Sequence, residues 1–243
     1  MAVDWTDRGI VLAVRPHGES DAIVTLLTER QGRHAGMVKG GAGRKHRAIL
    51  QPGNLVQAEW RARLEGHLGN FTVEALQAFG GGILSDRAAL AGLSCLCTMI
   101  DATLPEREPH PQIFAAAVTL LSHLGDPLWN AHYVRWELAL LREMGYGLDL
   151  RSCAATGATD DLVFVSPRSG RAVSRAAAEP YRGRLLALPE FLKDGADEDA
   201  LPAAADIQAG LTLTGFFFER SVFAPHHQEL PLARRRFTDL LGR

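Results

Sequence analysis

The chain has 243 residues, 47% of them hydrophobic and 22% charged, an ordinary globular composition that excludes a disordered or fibrous chain. No window approaches the ~18 uninterrupted apolar residues of a membrane span, and the opening Met1-Ala-Val-Asp-Trp-Thr-Asp7 lacks the regions of a signal peptide, so a cytoplasmic protein is expected. The net charge of −2 hides an asymmetry: from Arg30 to Arg63 eight basic residues face one acid, Glu59, leaving +7 there and −9 elsewhere, much of it between Glu190 and Asp206.

Short β-rich stretches come first, punctuated by glycine: Gly9-Ile-Val-Leu-Ala-Val14, Ala22-Ile-Val-Thr-Leu-Leu27, Ala35-Gly-Met-Val-Lys39, Asn54-Leu-Val-Gln-Ala-Glu-Trp60 and Phe71-Thr-Val-Glu-Ala-Leu76. Five strands over about 75 residues predict a small barrel of the OB type, although an SH3-like barrel reads similarly. The triple glycine Gly80-Gly-Gly82 marks the change to helical texture, so residues 1–80 are expected to form one domain and 83–243 another. Helices are predicted over Ile83–Leu104, along the stripe Ile113, Ala117, Leu120, Leu121 and Leu124, and along Tyr133, Trp136, Leu140 and Met144, with Gly145 and Gly147 as stops. A small β insertion at about 150–174 contains Leu162-Val-Phe-Val165 and the turn Ser166-Pro-Arg-Ser-Gly170. Helices resume at Arg184–Leu192, Leu201–Phe218 and Leu232–Leu241. The fold class expected is α+β.

Catalytic and metal signatures are missing. Lys39-Gly-Gly-Ala-Gly-Arg-Lys45 has no frame that matches a phosphate-binding P-loop and reads instead as a mobile basic loop. Gly18-Glu-Ser-Asp21 is turn chemistry, the histidines show no ligand spacing, and Cys95 and Cys97 read as helix core. The basic segment points to a polyanionic partner, with Arg33, Lys39, Arg44, Lys45 and Arg47 as the candidate phosphate contacts. On the helix Leu128–Met144, Arg135 and Arg142 share a stripe opposite Trp136 and Leu140 and are the candidate partner contacts. Two other readings remain at this point: an enzyme acting on nucleic acid, and a structural adaptor with an incidental basic patch.

Several short motifs occur in order: Gly9-Ile-Val-Leu, Arg15-Pro-His-Gly-Glu-Ser-Asp21, Ile23-Val-Thr-Leu, Gly32-Arg, Lys39-Gly, Leu50-Gln-Pro52, Leu138-Ala-Leu-Leu-Arg-Glu-Met-Gly-Tyr146 and Val165-Ser-Pro-Arg-Ser-Gly170. Together they resemble the bacterial RecO family of recombination mediators from about residue 8 onward. The resemblance implies an OB fold, then a helical domain holding a zinc-ribbon-like insertion. It further implies a non-enzymatic DNA repair protein without cofactor that binds single- and double-stranded DNA and anneals complementary strands. RecR and the acidic C-terminal tail of the single-stranded-DNA-binding protein are the implied partners, recombinase loading the implied outcome, and association with the nucleoid follows when the protein is on DNA. Many relatives carry two cysteine pairs in the insertion. Here Cys153 is followed by Thr156 where the second cysteine would stand, and Val173-Ser-Arg-Ala176 lacks the other pair, so a ribbon that has lost its cysteines, and no metal, is expected.

Overall fold

The computed structural model describes residues 3–64, 66–83 and 85–242; the side chains of Lys45 and Arg182 also lie outside the description. The chain folds as two compact units, Met1–Gly125 and Asp126–Arg243. The first holds a closed five-stranded barrel: β1 (Val3–His17), β2 (Asp21–Thr28), β3 (Gly32–Val38), β4 (Leu55–Ala62) and β5 (Asn70–Gln77), in the order β1-β2-β3-β5-β4. This is the OB-type arrangement. Strand β1 starts before the expected Gly9, because Val3 to Ile10 pair with Ala62 to Leu55 while Gly9 to His17 pair with Thr28 to Asp21. One long strand thus serves two neighbours, and a shift of register between Val11 and Ala13 bends it. Strict alternation along β3 sends Gly32, His34, Gly36 and Val38 inward, where the core is built from Val11, Val24, Leu26, Val56, Trp60 and Phe71. Each fully buried large apolar side chain of this kind contributes about 1.5–3 kcal/mol.

Ile10 and Leu27 alternate with the core residues Val11 and Leu26, yet they too are fully buried. The cause is α2 (Arg87–Thr103), which packs on β1 and β2; its Cys97 thiol donates to Val11 O at 3.7 Å, and burial pushes that thiol up to about 12, so it stays protonated. Asp86 caps α2 by accepting from Ala88 N and Ala89 N. Helix α3 (Pro111–Ser122) follows, with Pro111 in its first turn. Both helices belong to the first unit although they lie beyond the triple glycine. The segment joining them runs beside β3: Arg107 N donates to Arg33 O at 2.8 Å, and Arg33 and Glu106 form a parallel bridge. A side chain at Gly32 (φ +69°) would meet Glu108 O at 2.0 Å, so this crossing requires glycine.

The second unit centres on α4 (Trp129–Glu143), α6 (Ala204–Phe217) and α7 (Leu232–Leu241). Trp129 stacks on Tyr133 at 5.3 Å and Phe237 meets both rings edge-on. Glu137 is fully buried beside them; it accepts from Tyr133 OH at 2.9 Å and from Arg234 Nε and Nη2 at 2.8 Å each, while Thr214 also donates to it. Arg234 Nη2 donates further to Leu211 O, so the pair is satisfied on both sides. Gly215 leaves the room this requires, since a Cβ there would lie 2.6 Å from Arg234 Nη1.

The insertion is a three-stranded sheet in which β6 (Leu162–Val165) lies between β7 (Ala172–Ser174) and β8 (Leu186–Ala187). The expected helix over residues 184–192 is absent: Leu186 and Ala187 pair with Val165 and Phe164, and Pro189 leads into a 3-10 turn at Glu190–Leu192. A turn at Cys153 precedes β6, and the short helix α5 (Arg175–Ala178) follows β7. Cys153 is buried, and its sulfur accepts from Ser174 N at 3.3 Å and Ser174 Oγ at 3.4 Å. Burial raises this thiol, but the Ser174, Thr156 and Ala155 donors outweigh it and bring it down to about 6. One sulfur ringed by hydroxyls and amides does not fit a zinc ion, and no group of three metal-binding side chains occurs among the described residues. None of the described helices is long and apolar enough to cross a membrane.

Candidate nucleic-acid interface

Between β3 and β4 the expected mobile loop is a hydrogen-bonded turn. Gly40, at φ +66°, turns the chain back, and Gly40 N donates to Asp21 Oδ1 at 2.8 Å. Ala42 N donates to Ser20 O at 2.9 Å, so Gly18-Glu-Ser-Asp21 serves as the brace for the basic segment. Gly41 passes over β2 so closely that a Cβ would sit 2.8 Å from Ala22 Cβ. The chain then coils into α1 (Arg44–Arg47), where His46 N and Arg47 N donate back to Gly43 O at 3.1 Å. Asn54 Nδ2 donates to Ala48 O and Ile49 O and ties down the exit.

On this frame Lys39, Arg44 and Arg47 are exposed, and Lys45 lies on α1 with its side chain outside the description. Arg33 stands apart. It is 19% exposed, its Nη1 lies 3.1 Å from Asp101 and 3.7 Å from Glu106, and its Nε donates to Leu104 O at 2.8 Å. That guanidinium is committed to acids of its own unit. Sequence reasoning passed over Arg63, which is exposed beside Met37 in a shallow groove between β3 and the β4–β5 turn. The signal was in the charge count, since Arg63 closes the basic segment, but only the pairing of Met37 with Asn70 brings it into one groove with Met37, two residues before Lys39.

The two candidate partner residues also part company. Arg135 is half-buried: its Nη2 donates to Phe191 O at 3.1 Å and its guanidinium lies 5.6 Å from the centre of the Phe191 ring. Arg142 is exposed and borders two adjoining grooves of about 420 Å³ each, which share Leu138, Leu192 and Asp194. Arg135 therefore helps wall the second groove, whose lining carries Lys193, Asp194 and Glu198 beside Arg142.

The chain matches the family model for the N-terminal part of recombination protein O over residues 1–79 and that for its C-terminal part over residues 84–230. The DNA repair protein RecO of Rhodospirillum rubrum is 50% identical over 248 aligned positions, covering 99% of this chain and 97% of the relative. RecO of Rhodospirillum centenum is 51% identical, with 98% and 94% covered, and that of Cereibacter sphaeroides 48%, with 99% of each covered. With both halves matched in order and relatives near half identity from end to end, the barrel with its basic turn and the helical remainder are those of a recombination and repair protein: the chain belongs to the RecO family.

Proposed function

We propose that the protein is a recombination mediator that binds single- and double-stranded DNA through the β3–β4 turn and anneals complementary strands. With RecR it helps load recombinase onto DNA coated by single-stranded-DNA-binding protein, whose acidic tail docks at the grooves beside Arg142. The observation that carries the reading is the set Lys39, Arg44 and Arg47, exposed together on a turn braced by Asp21 and Ser20. A phosphate seated on each cation releases condensed counterions whatever the base sequence. Two strands held against one cationic face lose much of their mutual repulsion, which favours annealing. No step needs a catalytic group. Family membership supports the DNA repair context, and the relatives named above carry that description.

The test is salt-dependent binding of a single-stranded oligonucleotide. With Lys39, Arg44, Lys45 and Arg47 engaged, about three to four phosphates are neutralised and the log–log slope is about −2 to −3. Changing Arg44, Lys45 and Arg47 together to Ala flattens it towards −1 and slows annealing. An unaltered slope removes the turn from the DNA site.

A further inference from the structure

Two leucines of the β4–β5 turn stand in water: Leu64 is 58% exposed and Leu68 41%. Single exposed leucines need no explanation, but these are held out by an anchored backbone. Trp60 Nε1 donates to Leu68 O at 3.0 Å, Met37 N donates to Gly69 O at 3.1 Å, and His67 N donates to Leu64 O at 3.1 Å. Arg107 Nη2 donates to His67 O at 2.9 Å. Gly69, at φ +65°, crosses the Trp60 indole so closely that a Cβ would be 2.4 Å from Nε1. The Trp60 indole thus fills the space beneath this end of the turn. Beside it lies the groove of about 440 Å³ lined by Met37, Ala62, Arg63, His67, Leu68 and Asn70. Its described lining includes a cation, an imidazole and an amide around an apolar floor, and no carboxylate. Met37, near the end of β3, precedes Lys39, the first cation of the basic turn, by two residues, so the two lie within about 7 Å along the chain.

We propose that this groove seats unpaired nucleobases and so makes the basic interface prefer single strands over duplex, an inference that rests on the DNA reading above. Phosphate contacts cannot tell the two forms apart by base exposure, whereas an apolar floor can: an unpaired base has free faces, while a paired base is stacked between neighbours. Arg63 meets the adjoining phosphate, and the Asn70 amide is at hand for base edges. Methionine and leucine adapt to any base, so the seat is tolerant of sequence.

The experiment compares an oligothymidylate with a blunt duplex of equal length, using the full chain and the double variant Leu64→Ser/Leu68→Ser. Both side chains are exposed, so the fold is retained, and an unchanged melting temperature verifies it. Single-strand affinity should fall about fivefold or more, with duplex affinity within about twofold and the salt slope preserved. Equal loss on both forms, or no loss on either, overturns the proposal. So does wild-type binding to anionic phospholipid vesicles that the variant abolishes while DNA binding is untouched, since the face would then belong to a membrane surface. If the Arg44, Lys45 and Arg47 triple variant flattens the slope while the leucine variant is silent, only this inference fails. If the triple variant leaves the slope unaltered, the DNA reading itself fails.

Discussion

His34 is the least usual residue of the barrel. It is 4% exposed, neither ring nitrogen has a hydrogen-bond partner among the described residues, and its ring meets Trp60 edge-on at 4.7 Å and Trp5 at 5.1 Å. Burial, with the positive charge of Arg107, lowers it from 6.5 to about 4, so it is neutral in the folded protein near pH 7. The unfolded chain takes up the proton first on acidification. Stability from this residue is therefore complete above about pH 6.5, declines as the pH falls through the interval to about 4, and is then exhausted. The loss across that interval is about 3 kcal/mol. Urea midpoints measured at pH 7.5 and 4.5 should fall further in the wild type than in His34→Phe, in which nothing titrates at that position; parallel declines would show that the acid sensitivity lies elsewhere.

At the scale of elements, the β3–β4 turn has its backbone fastened to the Ser20–Asp21 turn. Asp21→Ala removes the acceptor of Gly40 N, and the cations then sample many arrangements. DNA affinity should drop severalfold with the salt slope unchanged, since as many phosphates are still neutralised; titrations at several salt concentrations separate this from the flattened slope of the triple variant. In the insertion, Ser174 donates to the Cys153 sulfur from both its N and its Oγ. We expect well below one zinc per chain by elemental analysis and a melting temperature indifferent to chelators; stoichiometric zinc would refute a metal-free ribbon. The five strands were legible because their alternation or apolar runs are short and bounded by glycine, and the helical stripes because their buried positions recur every three to four residues. The brace was not. Gly18-Glu-Ser-Asp21 reads as an ordinary turn until the fold sets Asp21 beside Gly40, nineteen residues on. Likewise Arg33 and Arg47 look alike in a sequence, and only Asp101, brought up by α2, distinguishes them. The pairing of Leu186 with Val165 is equally long-range, which is why residues 184–192 resembled a helix.

Over the whole molecule, the basic turn lies in the first compact unit and the Arg142 grooves in the second. On the proposed reading, the two binding sites are then separable by mutation in the intact chain. Arg142→Glu should weaken a peptide copying the acidic tail about tenfold if the charge is partly desolvated in its groove, and about twofold if it is an exposed rim contact. In both cases DNA affinity and its salt slope stay as in the wild type. Fluorescence titrations of peptide and oligonucleotide on the same variant check this, and a joint loss would place both ligands on one surface. The buried pair of Glu137 and Arg234 bears on synthesis of the protein. Ninety-seven residues separate the two, so at ~5–20 residues per second a ribosome adds the arginine roughly 5–20 s after the glutamate. Throughout that interval the nascent helix carries a carboxylate destined for the interior and no cation to receive it. All five barrel strands, by contrast, have been added by residue 77 and the whole first unit by residue 125, before Glu137 itself, so the first unit can assemble while the second still lacks its buried cation.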